Sequence, residues 1–207
     1  MSGLEVIGAI SAIITILDSS IKVYDSAQKD LKLSETFETV RSRLPVLLET
    51  LKTCASDLQQ VEDSMPADVC EALETLLIRC DETAGKLRQI FEKVLPGKAD
   101  TRQERYVKIV KRLGKGNKVE ELMVCMTEDI QLVVNHHAVK SAGPEQKRAL
   151  EEIIKEMRSV QSTLSEEEDR GMTFNSQGGA QTNNVNSGHG QQINNNAAVG
   201  TQNYGKN

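Results

Sequence analysis

Apolar residues recur at helical spacing along most of the chain. Over 4–28 the stripe is Leu4, Ile7, Ile10, Ile14, Leu17 and Ile21, and Val6, Ile13, Ile16 and Val23 widen it until the first half is apolar almost all round. A helix of that kind is either buried or in lipid. A central core helix is the simpler reading. The uncharged run Val6–Leu17, VIGAISAIITIL, falls short of the roughly 20 residues that span a bilayer.

The same spacing predicts a helix over 34–62, carried by Phe37, Val40, Leu44, Leu47, Leu48, Leu51, Leu58 and Val61. Ser34 with Glu38, one place beyond the capping-box spacing, is its start signal, and Pro45 should kink or break it. A third helix runs from Pro66 to Leu95, with Ser64 as N-cap and Pro96-Gly97 as stop. Shorter segments follow at 101–113, 118–140 and 145–165, the last carrying Leu150, Ile153, Ile154, Met157, Val160 and Leu164. The fold class expected is all-α. Residues 1–165 form an antiparallel bundle of about five long helices, 166–170 is a charged hinge, and 171–207 is a disordered, amyloid-competent tail.

Composition supports helices over sheets: aromatics are 3 % of the 207 residues, charged residues are 27 %, and Trp is absent. The net charge of -5 argues against non-specific nucleic-acid binding. Cys54, Cys70, Cys80 and Cys125 form no CxxC pair and read as reduced, mostly buried thiols of a cytosolic protein. The N-terminus carries no basic region before Glu5, so no signal peptide is expected.

Catalytic motifs are missing. LGKGNKV (113–119) lacks phosphate-loop spacing, and neither GxSxG nor HExxH occurs. His136 and His137 are adjacent on a helix and point apart, so they make no metal pair. No enzyme activity, metal or cofactor is expected. One local excess does stand out: Lys98, Arg102, Arg105, Lys108, Lys111, Arg112, Lys115 and Lys118 are opposed only by Asp100 and Glu104. It is either a solvated helix face or a contact for anionic lipid, made by Arg102, Arg105, Lys108, Lys111, Arg112 and Lys115 and worth roughly 1 kcal/mol per basic residue. Tyr106 is the one aromatic within it, too few for a base-stacking platform.

The tail has its own pattern. GGAQTNNVNS (178–187) aligns with GHGQQINNNA (188–197), so that Gly178/Gly188, Gln181/Gln191, Asn184/Asn194 and Asn186/Asn196 coincide. Val185, Ile193 and Val199 are isolated apolar positions, and Phe174 and Tyr204 bracket the segment, with Gln177 near its start. Amide side chains stacked in register make ladders parallel to the backbone ladder, and the lack of charge removes the repulsion such stacking would create. The alternative is a disordered tail without further role.

MSGLEVIGAISAIITILDSSIKVYDSA at the start and RLPVLLETLKTC at 43–54 resemble the SesA-type N-terminal domain found on fungal NACHT and other P-loop NTPases. The tail resembles the σ prion-forming motif that accompanies such domains. The resemblance implies a signalling pair, in which an NLR-like receptor with a matching amyloid motif templates the tail of a separate effector. In the related HeLo and HeLo-like domains the N-terminal helix is then freed into the plasma membrane and kills the cell, as in heterokaryon incompatibility and innate immunity. Carried over, the inserting residues are Leu4, Ile7, Ile10, Ile13, Ile14 and Leu17. The templated segment is Phe174–Tyr204, with Gln177, Gly178, Gln181, Asn184, Asn186, Gly188, Gln191, Ile193, Asn194 and Asn196. No NACHT domain is identifiable, so this chain would be the effector, cytoplasmic at rest and at the plasma membrane when active. It would self-associate through its tail. The competing reading is a non-lytic adaptor whose bundle binds a partner and whose tail only assembles it.

Overall fold

A computed structural model of the chain describes residues 2–27, 35–96, 101–136, 139–140 and 142–165. Six α-helices follow one another there: α1 (Gly3–Ser26), α2 (Glu35–Gln59), α3 (Ala67–Val94), α4 (Arg102–Leu113), α5 (Val119–Asn135) and α6 (Pro144–Ser159). The described residues contain no strand, and the fold class is all-α. Each of the six predicted helical segments corresponds to one of these helices, and α4, the shorter one expected at 101–113, is 12 residues long. The predicted tail and hinge, residues 166–207, lie outside the described residues, as does Ser34.

Packing follows the apolar stripes. The first helix lies against α2 and α3; α3 also contacts α4 and α5, and α5 contacts α2 and α6. Ile10, Leu44, Leu47, Leu73, Leu87, Met126 and Leu150 are fully enclosed. Four of the chain's few aromatic rings meet in this core. Tyr24 and Phe91 lie 5.5 Å apart, Phe37 and Phe91 6.1 Å, and Phe37 and Tyr106 5.1 Å in an edge-on pair.

Three local expectations are corrected. Pro45 does not break the segment: α2 runs through it. The proline removes one backbone bond, but Leu44, Leu47, Leu48 and Leu51 are buried on both sides of it, and that packing outweighs the loss. Ser64 does not cap α3. It closes a 3-10 turn, Glu62–Ser64, by bonding the Val61 carbonyl, and Pro66 occupies the N-cap position. Finally, α6 stops at Ser159, six residues before its predicted end at 165. Leu164 is buried all the same, because residues 160–165 run on as a non-helical strap, bent at Thr163 and Leu164, that returns to the core.

Candidate functional site

The uncharged run Val6–Leu17 falls short of a bilayer, but the helix predicted over 4–28 is α1 and extends beyond that run. It is continuous for 24 residues, about 36 Å at 1.5 Å per residue, and is long and apolar enough to span by length and composition. The apolar run stops at Leu17, but backbone hydrogen bonding continues to Ser26. Three serine and threonine hydroxyls on the helix are satisfied internally. Ser11 donates to Ile7 O at 2.9 Å, Thr15 to Ser11 O at 2.9 Å, and Ser20 to Ile16 O at 2.8 Å. Such back-bonding lowers the cost of taking a hydroxyl out of water.

In the bundle this helix serves the core. Ile7, Ile10, Ile13 and Leu17 are buried, and Ile14 is partly buried against the same cluster. Leu4 differs, being 68 % exposed. Gly8, Ser11, Ala12 and Thr15 form the exposed side. Both ends are pinned. At the N-terminus Gly3 lies so close to the 3-10 turn that a Cβ there would meet the Glu62 carbonyl oxygen at 2.5 Å. The Ser2 amide donates to Glu5 Oε2 at 2.6 Å, which holds the Glu5 carboxyl below its ordinary range. At the other end Arg41 of α2 grips Asp25 with Nε at 2.8 Å and Nη2 at 2.6 Å. Between them Tyr24 is buried with a hydroxyl that has no partner, and burial pushes its pKa up to about 12.

The basic stripe divides on folding. Arg102 is buried and donates from Nε to the Leu95 carbonyl at 3.1 Å, covering the C-terminal end of α3. Arg105 donates to the Pro96 and Thr101 carbonyls. A cation beside the last carbonyls of a helix is favoured by the dipole, and that role takes Arg102 out of the lipid-facing set. Lys118 is buried as well, its Nζ 3.3 Å from Ser162 Oγ. Lys108, Lys111 and Arg112 stay exposed at the spacing of one face of α4, and Lys115 is exposed in the turn that follows. Lys98 and Asp100 lie outside the described residues. Tyr106 points into the core and presents no ring for stacking.

Of the cysteines, Cys54, Cys70 and Cys80 are buried free thiols, as expected, but Cys125 is exposed. Burial pushes Cys54 up to about 12 and raises Cys80 further, while Cys125 is raised by partial burial and by Glu128. These thiols are protonated at neutral pH and weak nucleophiles. Among the described residues, no three His, Cys, Asp or Glu side chains converge as a metal site would require. Sequence reasoning missed the strap and the hydrogen bonds from Tyr106 and Glu120 to its Thr163, because Leu164 continues the spacing of Leu150, Ile153, Met157 and Val160. The amyloid-motif residues Phe174–Tyr204 lie outside the described residues.

No curated protein and no solved structure matches the chain. The family model SesA, the N-terminal domain on NACHT_NTPase and P-loop NTPases, matches residues 10–133, from the core half of α1 to the last turn of α5 and more than half of the chain. The chain belongs to that family, as a helical domain of the kind that NACHT proteins carry at their N-terminus.

Proposed function

We propose that this chain is a non-enzymatic cell-death effector of NLR-type signalling, switched on by templated assembly of its tail and acting by insertion of α1 into a membrane. At rest it is a cytoplasmic bundle. A receptor with a matching motif seeds segment 174–204, copies of the chain gather through their tails, and α1 leaves the core for the plasma membrane. The observation that carries this reading is the character of α1 itself: a terminal helix of spanning length and apolarity, held by core packing and two end contacts. Lys108, Lys111, Arg112 and Lys115 would bring the bundle to anionic headgroups. Extracting α1 also uncovers the faces of α2 and α3 it packs on, which gives the opened bundle apolar surface of its own.

The test joins both halves. Residues 171–207 as a peptide should form thioflavin-positive fibrils that seed further growth. Full-length protein seeded with those fibrils should release dye from vesicles containing anionic lipid. Fibrils without release favour the adaptor reading, which the burial of α1 in the resting core also supports. Soluble peptide with no fibrils removes the trigger.

A further inference from the structure

After α6 the chain turns extended at Val160 (φ -66°, ψ 152°). The strap that follows is held as a bound peptide is held. Thr36 Oγ1 of α2 donates to the Gln161 carbonyl at 3.1 Å, and Gln103 Nε2 of α4 donates to the Thr163 carbonyl at 3.4 Å. Thr163 makes the most specific contacts. Its amide donates to Glu120 Oε1 at 3.0 Å, and its hydroxyl donates to Glu120 Oε2 at 2.8 Å. The Tyr106 hydroxyl donates to Thr163 Oγ1 at 2.5 Å and accepts from the Val119 amide at 3.2 Å. Donors and acceptors alternate along this chain without a clash. Leu164 then enters the core.

The strap does not fill its groove. A cavity of about 520 Å³ reaches from Val160 and Ser162 toward α2 and α4, past Thr36, Thr39 and Gln103. A second of about 470 Å³ reaches from the same residues toward α5, past Val124 and Cys125. The strap thus lies between open spaces and is held through the Gln161 and Thr163 carbonyls, the Thr163 amide and hydroxyl, and the Ser162 hydroxyl.

We propose that this groove is a recognition site for a non-helical Ser-Thr-Leu segment, and that its partner is residues 160–165 of a second copy of this chain, exchanged reciprocally. Every contact above forms equally well in trans, so exchange costs no bonding, only the entropy of association. Ser159 to Thr163 reaches about 13 Å when extended, so the two grooves must face each other across a two-fold axis. Only the predicted hinge, residues 166–170, separates the strap from the tail. Gathering copies through their tails raises the effective concentration of straps to the millimolar range, which favours the exchanged form. Exchange in the cell rests on the tail-assembly reading above; recognition by the groove does not.

Two measurements test it. A fluorescein-labelled peptide of residues 158–166 (RSVQSTLSE) is titrated into the full chain and followed by anisotropy. Thr163→Val in the chain weakens the resident strap, so that variant should bind the peptide at least tenfold more tightly than the unaltered chain. Adding Glu120→Gln, or placing Val for Thr in the peptide, should remove that gain. Absence of binding by a Thr163→Val chain with an unaltered helical spectrum overturns the groove, as does binding indifferent to the peptide's threonine. Gln103→Ala, at an exposed position, is a second variant that should weaken peptide binding without endangering the fold. Exchange is read by mixing a Thr36→Cys chain with a Gln161→Cys chain, both also Cys125→Ser. Oxidation after fibril seeding should give mixed disulfide dimers. Thioflavin-positive samples without them overturn the exchange, and samples without thioflavin signal indict the tail reading instead.

Discussion

Ala12 offers the sharpest separation of folding from membrane action. It lies at the centre of the apolar window of α1 and on its exposed side, whereas Ile10, two residues earlier, is fully enclosed. A lysine at position 10 would bury an ammonium in the core and unfold the bundle, so loss of activity there would say nothing about lipid. Ala12→Lys keeps its charge in water in the resting protein, and its effect on stability should stay within about 0.5 kcal/mol. In a bilayer the same lysine sits near the midplane, where insertion scales put its cost at about 2.5–3.5 kcal/mol. At 1.4 kcal/mol per tenfold, that is roughly a 100-fold loss of inserted helix. The assay is dye release from anionic vesicles at matched fibril seeding, with urea unfolding as the control. The expected outcome is an unchanged urea midpoint and release reduced about 100-fold. Undiminished release by a folded Ala12→Lys chain would refute insertion of α1.

Three further outcomes follow from the same geometry. Gly3→Ala forces a Cβ onto the Glu62 carbonyl, so α1's first turn or the 3-10 turn must shift; about 1–3 kcal/mol of stability should be lost, with faster amide exchange at the start of α1. Tyr24 holds its proton to about pH 12 when folded, against about 10 for an ordinary tyrosine, so its contribution is complete below pH 10 and is lost as pH rises through 12. The urea midpoint should therefore fall above pH 10, and Tyr24→Phe should flatten that fall and, by removing an unpartnered hydroxyl, add about 1 kcal/mol at pH 7. A thiol reagent at pH 8 should modify Cys125 alone in native protein and all four cysteines in denaturant; rapid native modification of Cys54 or Cys80 would contradict the burial described.

The helices were legible because each buries one stripe, and periodicity reports stripes directly. It failed where a residue's role is set by a neighbouring element. Arg102 shares the spacing of the basic stripe, yet it is drawn inward by the uncovered carbonyls at the end of α3; an arginine opening a helix soon after another helix ends was the available signal. Leu164 keeps the heptad-like spacing of α6 although the backbone has left the helix. The run Ser159, Val160, Ser162 and Thr163, poor in helix formers and with the Ser159 hydroxyl bonded to the Glu156 carbonyl, marked that end. Pro45 misled in the other direction, because a local rule about one hydrogen bond gave way to four buried leucines. For the candidate site, the apolar nature of α1 was readable. So was its length, predicted over 4–28; its candidacy as a span was not, because the uncharged run ends before Asp18, which pairs with Lys22 at 2.5 Å as the helix continues.

In the proposed mechanism α1 exchanges a protein core for a lipid one when tails assemble. The most direct measurement places an environment-sensitive fluorophore on Ala12→Cys in a Cys125→Ser background and follows it with anionic vesicles, before and after seeding with tail fibrils. The expected result is a water-exposed spectrum at rest, then a blue shift that rises together with thioflavin signal and dye release. Fibrils that grow while the probe stays in water would contradict it, and would leave α1 as the core helix of an adaptor.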